Sequence, residues 1–142
     1  MRANILAVMM WLGAVCAPAN PALAGDEPQV QAAQSIITAQ IEAMRADDGP
    51  TAYSFASPEI QMKFPTPDSF MAMVKTGYAP VYQPRAFAFA GASVSAGVIT
   101  QLVDISAADG SDWVAEYRLA AMPDGSLKII GCQLKKPGGE SA

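Results

Sequence analysis

The first half of the chain carries apolar side chains at a helical spacing. Members of this stripe recur every three or four positions; they are Val30, Ala33, Ile37, Ile41 and Met44. Polar residues occupy another face, so the pattern predicts a long amphipathic helix with one buried side. Pro28 suits its first turn. Gly49 and Pro50 predict its end, because glycine favours the left-handed position after a helix and the residue before a proline resists helix.

Shorter helical segments are predicted after this helix. Residues 51–64 are typical of short helical turns, with a restart at Ser57-Pro58-Glu59. Thr66 is a predicted N-cap with Pro67 at the first helical position, and this helix continues to Gly77. Residues 78–84 then form a rigid, partly aromatic connection.

The hydrophobic period changes from 3.6 to 2 after residue 84, which indicates strands. We expect four of them, beginning near Arg85 and continuing with residues 98–106, 112–122 and 126–135. An Asp-Gly pair precedes each of the last two strands and is a strong hairpin signal. Helices followed by antiparallel strands predict an α+β domain. Its long helix and two short helices pack on a curved four-stranded sheet.

Details of the strands are also predicted. Trp113, Ala115, Tyr117 and Leu119 should share one face of the third strand, and Ile130, Cys132 and Leu134 one face of the fourth. Gly91 and Gly97 mark either a bulge or the bend between the first two strands.

The first 24 residues have the order of a cleavable secretory signal. Arg2 supplies a positive charge, residues 5–17 are an uncharged apolar run, and small residues precede the junction of Ala24 with Gly25. The apolar run spans about 20 Å, short of a roughly 30 Å hydrocarbon core, which argues against a transmembrane anchor. We therefore expect cleavage after Ala24 and a periplasmic or secreted product.

Cys16 introduces a lipoprotein signal as an alternative. Val15 precedes it where such signals favour a smaller residue, and a good cleavage site lies downstream, so we favour the soluble product. Cleavage leaves residues 25–136 as a single α+β domain and residues 137–142 as a disordered polar tail.

The composition excludes several chemistries. The chain has no histidine, which removes histidine-based nucleophilic triads and zinc sites. Cleavage would leave Cys132 as the one cysteine, so the domain could form no internal disulfide. A net charge of −4 without a basic cluster argues against nucleic-acid binding. We expect no cofactor, no metal and no membrane contact after cleavage.

The closing segments WVAEYRL (113–119) and DGSLKIIGC (124–132) resemble the end of the cystatin-like cone of the nuclear transport factor 2-like superfamily, with Leu127 where an aromatic residue is usual. The chain also resembles a family of uncharacterised exported bacterial proteins with a domain of unknown function. That likeness rests on segments 33–41, 55–58, 77–82 and 131–132. The resemblance implies a cone with a pocket at its open end. It implies no reaction, because the superfamily contains isomerases, cyclases, dehydratases and non-enzymatic binders.

Candidate site residues follow from this implied pocket. Asp104 and Tyr117 have the chemistry for proton transfer next to a carbonyl, although Asp104 facing solvent is the competing interpretation. The expected lining or lip of the pocket is aromatic and basic, and consists of Tyr53, Tyr78, Tyr82, Arg85 and Trp113.

Three hypotheses of different classes remain. The first is a non-enzymatic exported domain that binds a small apolar ligand or a protein partner. The second is a small isomerase-like or cyclase-like enzyme that uses Asp104 with a tyrosine. The third is a structural homodimer formed through the outer face of the sheet.

Overall fold

The structure is a computed structural model that describes residues 26–137. The predicted signal, its cleavage site at Ala24 and the tail beyond residue 137 lie outside these residues. The predicted order of helices and then strands is confirmed. The elements are α1 (Glu27–Arg45), α2 (Gly49–Ser54), α3 (Pro58–Lys63), α4 (Pro67–Gly77), α5 (Ala79–Tyr82), β1 (Ala86–Ser95), β2 (Val98–Ser106), β3 (Asp112–Ala121) and β4 (Leu127–Lys135).

Helix α1 buries the predicted stripe against the sheet. Ala33, Ile37 and Ile41 are 0 % exposed and Met44 is 2 % exposed. Val30, at the start of the stripe, is partly buried against the same core. The helical spacing therefore identified the face of α1 that packs.

Helix α1 ends at Arg45, next to the predicted stop at residues 47–50, but Gly49 does not have the predicted role. The left-handed residue after the helix is Asp47, with φ of 54°, and Gly49 instead begins α2. Asp48 caps α2 by accepting the backbone N–H of Thr51 at 3.3 Å. Gly49 packs closely, since a β-carbon there would lie 3.1 Å from Cγ of Met71, tighter than most such contacts.

The next helices begin at the predicted caps. Ser57 caps α3, and Thr66 forms a reciprocal capping box with Ser69 at the start of α4. The connection predicted at residues 78–84 contains one turn of helix, α5, with Pro80 in its first turn. Proline presets the helical φ angle at this position, and the prediction of a connection without helix did not take this into account.

The sheet is a four-stranded antiparallel meander in the order β1-β2-β3-β4. At its two Asp-Gly turns the glycines have φ of 87° and 86°. In each turn the aspartate Oδ1 accepts the N–H and the hydroxyl of the following serine, at 2.9 and 2.6 Å, in Asp109–Ser111 and Asp124–Ser126. These hydrogen bonds hold the pKa of both carboxyl groups below the usual range.

A bulge and a bend were proposed for Gly91 and Gly97, and the structure contains both. The β1–β2 register shifts between Phe89 and Ala92, around Gly91, while Gly97 lies in the turn with φ of 78°. The side chain of Gln101, which is 0 % exposed, supports the shifted segment. Its Nε2 donates to the carbonyls of Ala90 and Gly91 at 3.1 and 3.4 Å.

A second register shift lies between β3 and β4, and it corrects the prediction for β4. Arg118 pairs with Gly131 but Leu119 pairs with Ile129, so Ile130 is the extra residue. Ile129, 3 % exposed, therefore enters the core in place of Ile130, while Cys132 and Leu134 pack against the core as expected. Strict alternation cannot foresee this change, because a bulge shifts which residues face inward.

The core lies between α1, α4 and the inner face of the sheet. Tyr117, Leu119, Ile105 and Val103 supply its largest strand residues, all at most 1 % exposed. Within residues 26–137, no helix combines the length and the apolar composition needed to cross a bilayer.

Candidate functional site

A cavity of about 380 Å³ lies between the helices and the β3–β4 half of the sheet. This volume is in the lower part of the range of roughly 300–1,000 Å³ that is typical of small-molecule sites. Its wall is mostly apolar, formed by Met44, Ala56, Ile60, Phe64, Phe70, Met73, Val74, Val81, Ile129 and Ile130. The lining alone suits an apolar ligand.

The wall beside β4 is built by an irregular pairing. The segment between α2 and α3 forms a short parallel bridge in which Ala56 pairs with Ile129. Ile129 accepts the N–H of Ser57 and donates its own N–H to the carbonyl of Phe55, both at 2.9 Å. This bridge covers part of the edge of β4 and holds Ala56 and α3 against the cavity.

Two phenols and one thiol line the cavity, those of Tyr78, Tyr117 and Cys132. Tyr117 is 1 % exposed, and Cys132 is the residue paired with it across β3 and β4. Tyr78 lies at the junction of α4 and α5, where burial and, to a smaller extent, the proximity of Cys132 raise its pKa. Cys132 retains partial exposure.

Burial keeps these three groups neutral. It raises the pKa of Cys132 to about 12, raises that of Tyr117 well above its ordinary value, and raises that of Tyr78. A general base works best with a pKa near the operating pH, and a nucleophilic cysteine must be a thiolate. At neutral pH the cluster is therefore suited to hydrogen bonding with a ligand rather than to proton abstraction.

Asp104 lies outside the cavity. Its side chain is exposed, while the neighbouring Val103 and Ile105 of β2 point into the core. The residues opposite it on adjacent strands are Ala88 and Val114. The isomerase hypothesis required Asp104 and a tyrosine in one cavity, and strand alternation puts Asp104 and Tyr117 on opposite faces of the sheet.

Of the predicted lip residues, Tyr78 lines the cavity and Tyr53 and Tyr82 do not. Tyr53 packs on Phe70 with ring centroids 5.6 Å apart. Its hydroxyl donates to the carbonyl of Phe64 at 2.7 Å. The hydroxyl of Tyr82 donates to Oδ1 of Asp47 at 2.5 Å on the surface. Each hydroxyl therefore links its own helix to a residue just after the end of another helix.

Arg85 and Trp113 also lie outside the cavity lining. Arg85 is exposed and donates to the carbonyl of Ala108 at 3.4 Å. The indole N–H of Trp113 donates to Oγ of Ser111 at 2.9 Å, and the ammonium of Lys136 lies 3.7 Å from the Trp113 ring centroid. The predicted lip is thus dispersed over the fold.

Several cavity residues were not singled out from the sequence. Phe64 and Met73 belong to segments predicted only as short helices, and Cys132 was placed on one face of the fourth strand without a role in the site. Lys63 and Arg118 also line the cavity, and neither belongs to a recognisable motif. Within residues 26–137, no group of three or more histidine, cysteine, aspartate or glutamate side chains could hold a metal ion.

These helices and this meander form an α+β domain, the fold class that the sequence predicted. The chain is similar to the crystal structure of an NTF-2 like protein of unknown function from Silicibacter pomeroyi DSS-3, with a TM-score of 0.55 and 16 % identity. That similarity covers 77 % of this chain and 96 % of the other, and at this identity it shows the fold alone.

Residues 26–142 match the family described as a domain of unknown function, DUF4864, and the chain belongs to that family. The expected membership of a family of unknown function is confirmed. No curated protein matches the chain.

Proposed function

We propose that this protein is an exported, non-enzymatic domain that holds a small, largely apolar ligand in the cavity beside β4. The observation that carries the proposal is the cavity of about 380 Å³, whose apolar wall surrounds Tyr117, Tyr78 and Cys132. Such a site binds by burying apolar surface, while a few polar groups orient the ligand. The protonated hydroxyls and thiol can serve as those polar groups.

Support for binding over proton transfer comes from the chemistry of the lining. No aspartate or glutamate is among the cavity-lining residues of the described chain, and the sequence has no histidine. The acid–base pair that Asp104 would complete is divided between the two faces of the sheet.

The proposal includes the compartment. The order of charge, apolar run and small residues in the first 24 positions supports export, with the mature chain beginning at Gly25. We expect the protein recovered from a periplasmic extract of a Gram-negative host to have the mass of residues 25–142. Intact-mass spectrometry checks this, and recovery of only the uncleaved chain from the cytoplasm would contradict it.

Ligand binding is testable with a neutral probe, N-phenylnaphthylamine, whose fluorescence rises in apolar surroundings. We expect saturable binding to the wild type and at least about tenfold weaker binding to Met73→Trp, a loss of about 1.4 kcal/mol. Met73 lines the cavity and is only partly buried, so a larger side chain there occupies ligand volume without replacing a fully buried core residue.

Met62→Trp is the matched control. Met62 is 80 % exposed on α3 and does not line the cavity, so the same substitution adds an indole to the surface. We expect it to bind the probe like the wild type. Thermal unfolding of both variants verifies that they are folded. Equal probe affinity in folded Met73→Trp and Met62→Trp would overturn the assignment of the cavity.

A further inference from the structure

In the part of the chain that the structure describes, two cations line a cavity that no carboxylate lines. The chain has 13 acidic and 9 basic residues, yet the charged residues at the cavity wall are Lys63 and Arg118, both basic. The charge at the cavity wall is therefore positive, whereas the net charge of the whole chain is −4. The field at the cavity therefore favours an anion, although the protein as a whole repels one.

Both cations are available to a ligand. Within the described residues, neither Lys63 nor Arg118 takes part in the observed ion pairs, which are Arg45–Glu42, Lys75–Asp47 and Lys135–Glu116. Lys63 is exposed at the last turn of α3, where its charge also complements the helix dipole. Glu59, one turn earlier on α3, makes no ion pair with it.

The position of Arg118 follows from the break in the β3–β4 register. Arg118 is paired with Gly131, and its Nη2 lies 3.1 Å from where a β-carbon of residue 131 would be. Arg118 projects from the face of β3 opposite to that of Tyr117, and the missing side chain at Gly131 lets its guanidinium lie across β4, the strand that borders the cavity. Gly131, Cys132 and Arg118 all line the cavity.

We propose that the ligand is an amphipathic carboxylate, a monoanion with an apolar chain. The chain lies among Phe64, Met73 and their apolar neighbours, and the carboxylate is held by Lys63 and Arg118. This inference rests on the proposed function, and it specifies the class of ligand. An arginine and a lysine suit a carboxylate because both donate charge-assisted hydrogen bonds.

Three probes with the same apolar chain separate charge from burial. Decanoate, decanol and decyltrimethylammonium, each below its aggregation concentration, compete against N-phenylnaphthylamine bound to the full chain. We expect decanoate to bind about fivefold or more tightly than decanol, which corresponds to about 1 kcal/mol. The cationic probe should bind most weakly. The preference should shrink at high salt, because these cations are exposed.

Variants assign the preference to the two side chains. Lys63→Gln and Arg118→Gln should each reduce the ratio of decanoate to decanol affinity severalfold. Arg118→Lys should retain most of the ratio. Lys136→Gln is the matched control, since it removes one positive charge from an exposed residue that does not line the cavity.

The outcomes distinguish this inference from the function on which it rests. Equal affinity for decanol and decanoate in the wild type would overturn the carboxylate inference and leave the apolar site standing. The carboxylate inference is also overturned if Lys136→Gln lowers the ratio as much as Lys63→Gln does, because the effect would then be one of net charge. Failure of the neutral probe to bind at all would overturn both.

Discussion

Ile37→Ala is expected to lower the free energy of unfolding by about 4 kcal/mol, within the range of roughly 2–5 kcal/mol for such truncations. Ile37 lies at the centre of the α1 stripe and is 0 % exposed. Removing its outer carbons loses their transfer free energy and leaves a cavity that the core cannot fill. Guanidinium denaturation followed by circular dichroism measures the loss.

The neighbouring isoleucine is the matched control. Ile36 belongs to the same helix but is only partly buried, so Ile36→Ala should cost about 1 kcal/mol. The two variants change the same atoms one position apart, and helix propensity cancels between them. A cost for Ile36→Ala equal to that for Ile37→Ala would contradict the orientation of α1.

Gln101→Ala is expected to cost about 3 kcal/mol, because buried polar groups lose their partners as well as packing. The Gln101 side chain is 0 % exposed and spans the bulge in β1. Its Nε2 donates to the carbonyls of Ala90 and Gly91. Its Oε1 accepts a hydrogen bond from Nε2 of Gln34 at 3.0 Å. Truncation removes the partner of these three groups together with the packing of a fully buried side chain.

Gln133→Ala is the control for this prediction. Gln133 is an exposed strand glutamine on β4, and its truncation should change the free energy of unfolding by less than about 0.5 kcal/mol. Thermal and chemical unfolding of both variants compare the two sites. If Gln101→Ala proves as mild as Gln133→Ala, the hydrogen bonds at the bulge contribute little to stability.

The sequence allowed us to select residues of suitable chemistry for the candidate site, but not to predict which of them lie in the cavity. Tyr78 and Tyr117 were selected for their hydroxyls, and both line the cavity. Asp104 was selected in the same way and faces solvent, since alternation along β2 turns it away from the core. Tyr53 and Tyr82 use their hydroxyls between helices, a role that depends on helix packing and leaves no local pattern.

The two basic residues at the cavity wall could not be located from the sequence either. Lys63 and Arg118 are 55 positions apart in the chain and belong to a helix and a strand. The segment before α3 bridges to Ile129, and the extra residue of β4 puts Gly131 opposite Arg118. Neither the bridge nor the extra residue leaves a hydrophobic pattern in the sequence. Both are therefore visible only in the folded chain.

The sequence by itself determined the α+β class, the buried stripe of α1, the helix caps and the hairpin turns of this protein. Those features depend on residues within one or two turns of each other, where spacing and local hydrogen bonding decide the backbone. The tertiary structure alone decided the register shift between β3 and β4, the burial of Gln101, the entry of Ile129 into the core and the composition of the cavity. These features depend on contacts between residues far apart in the chain, and the packing of whole elements selects among locally equivalent arrangements.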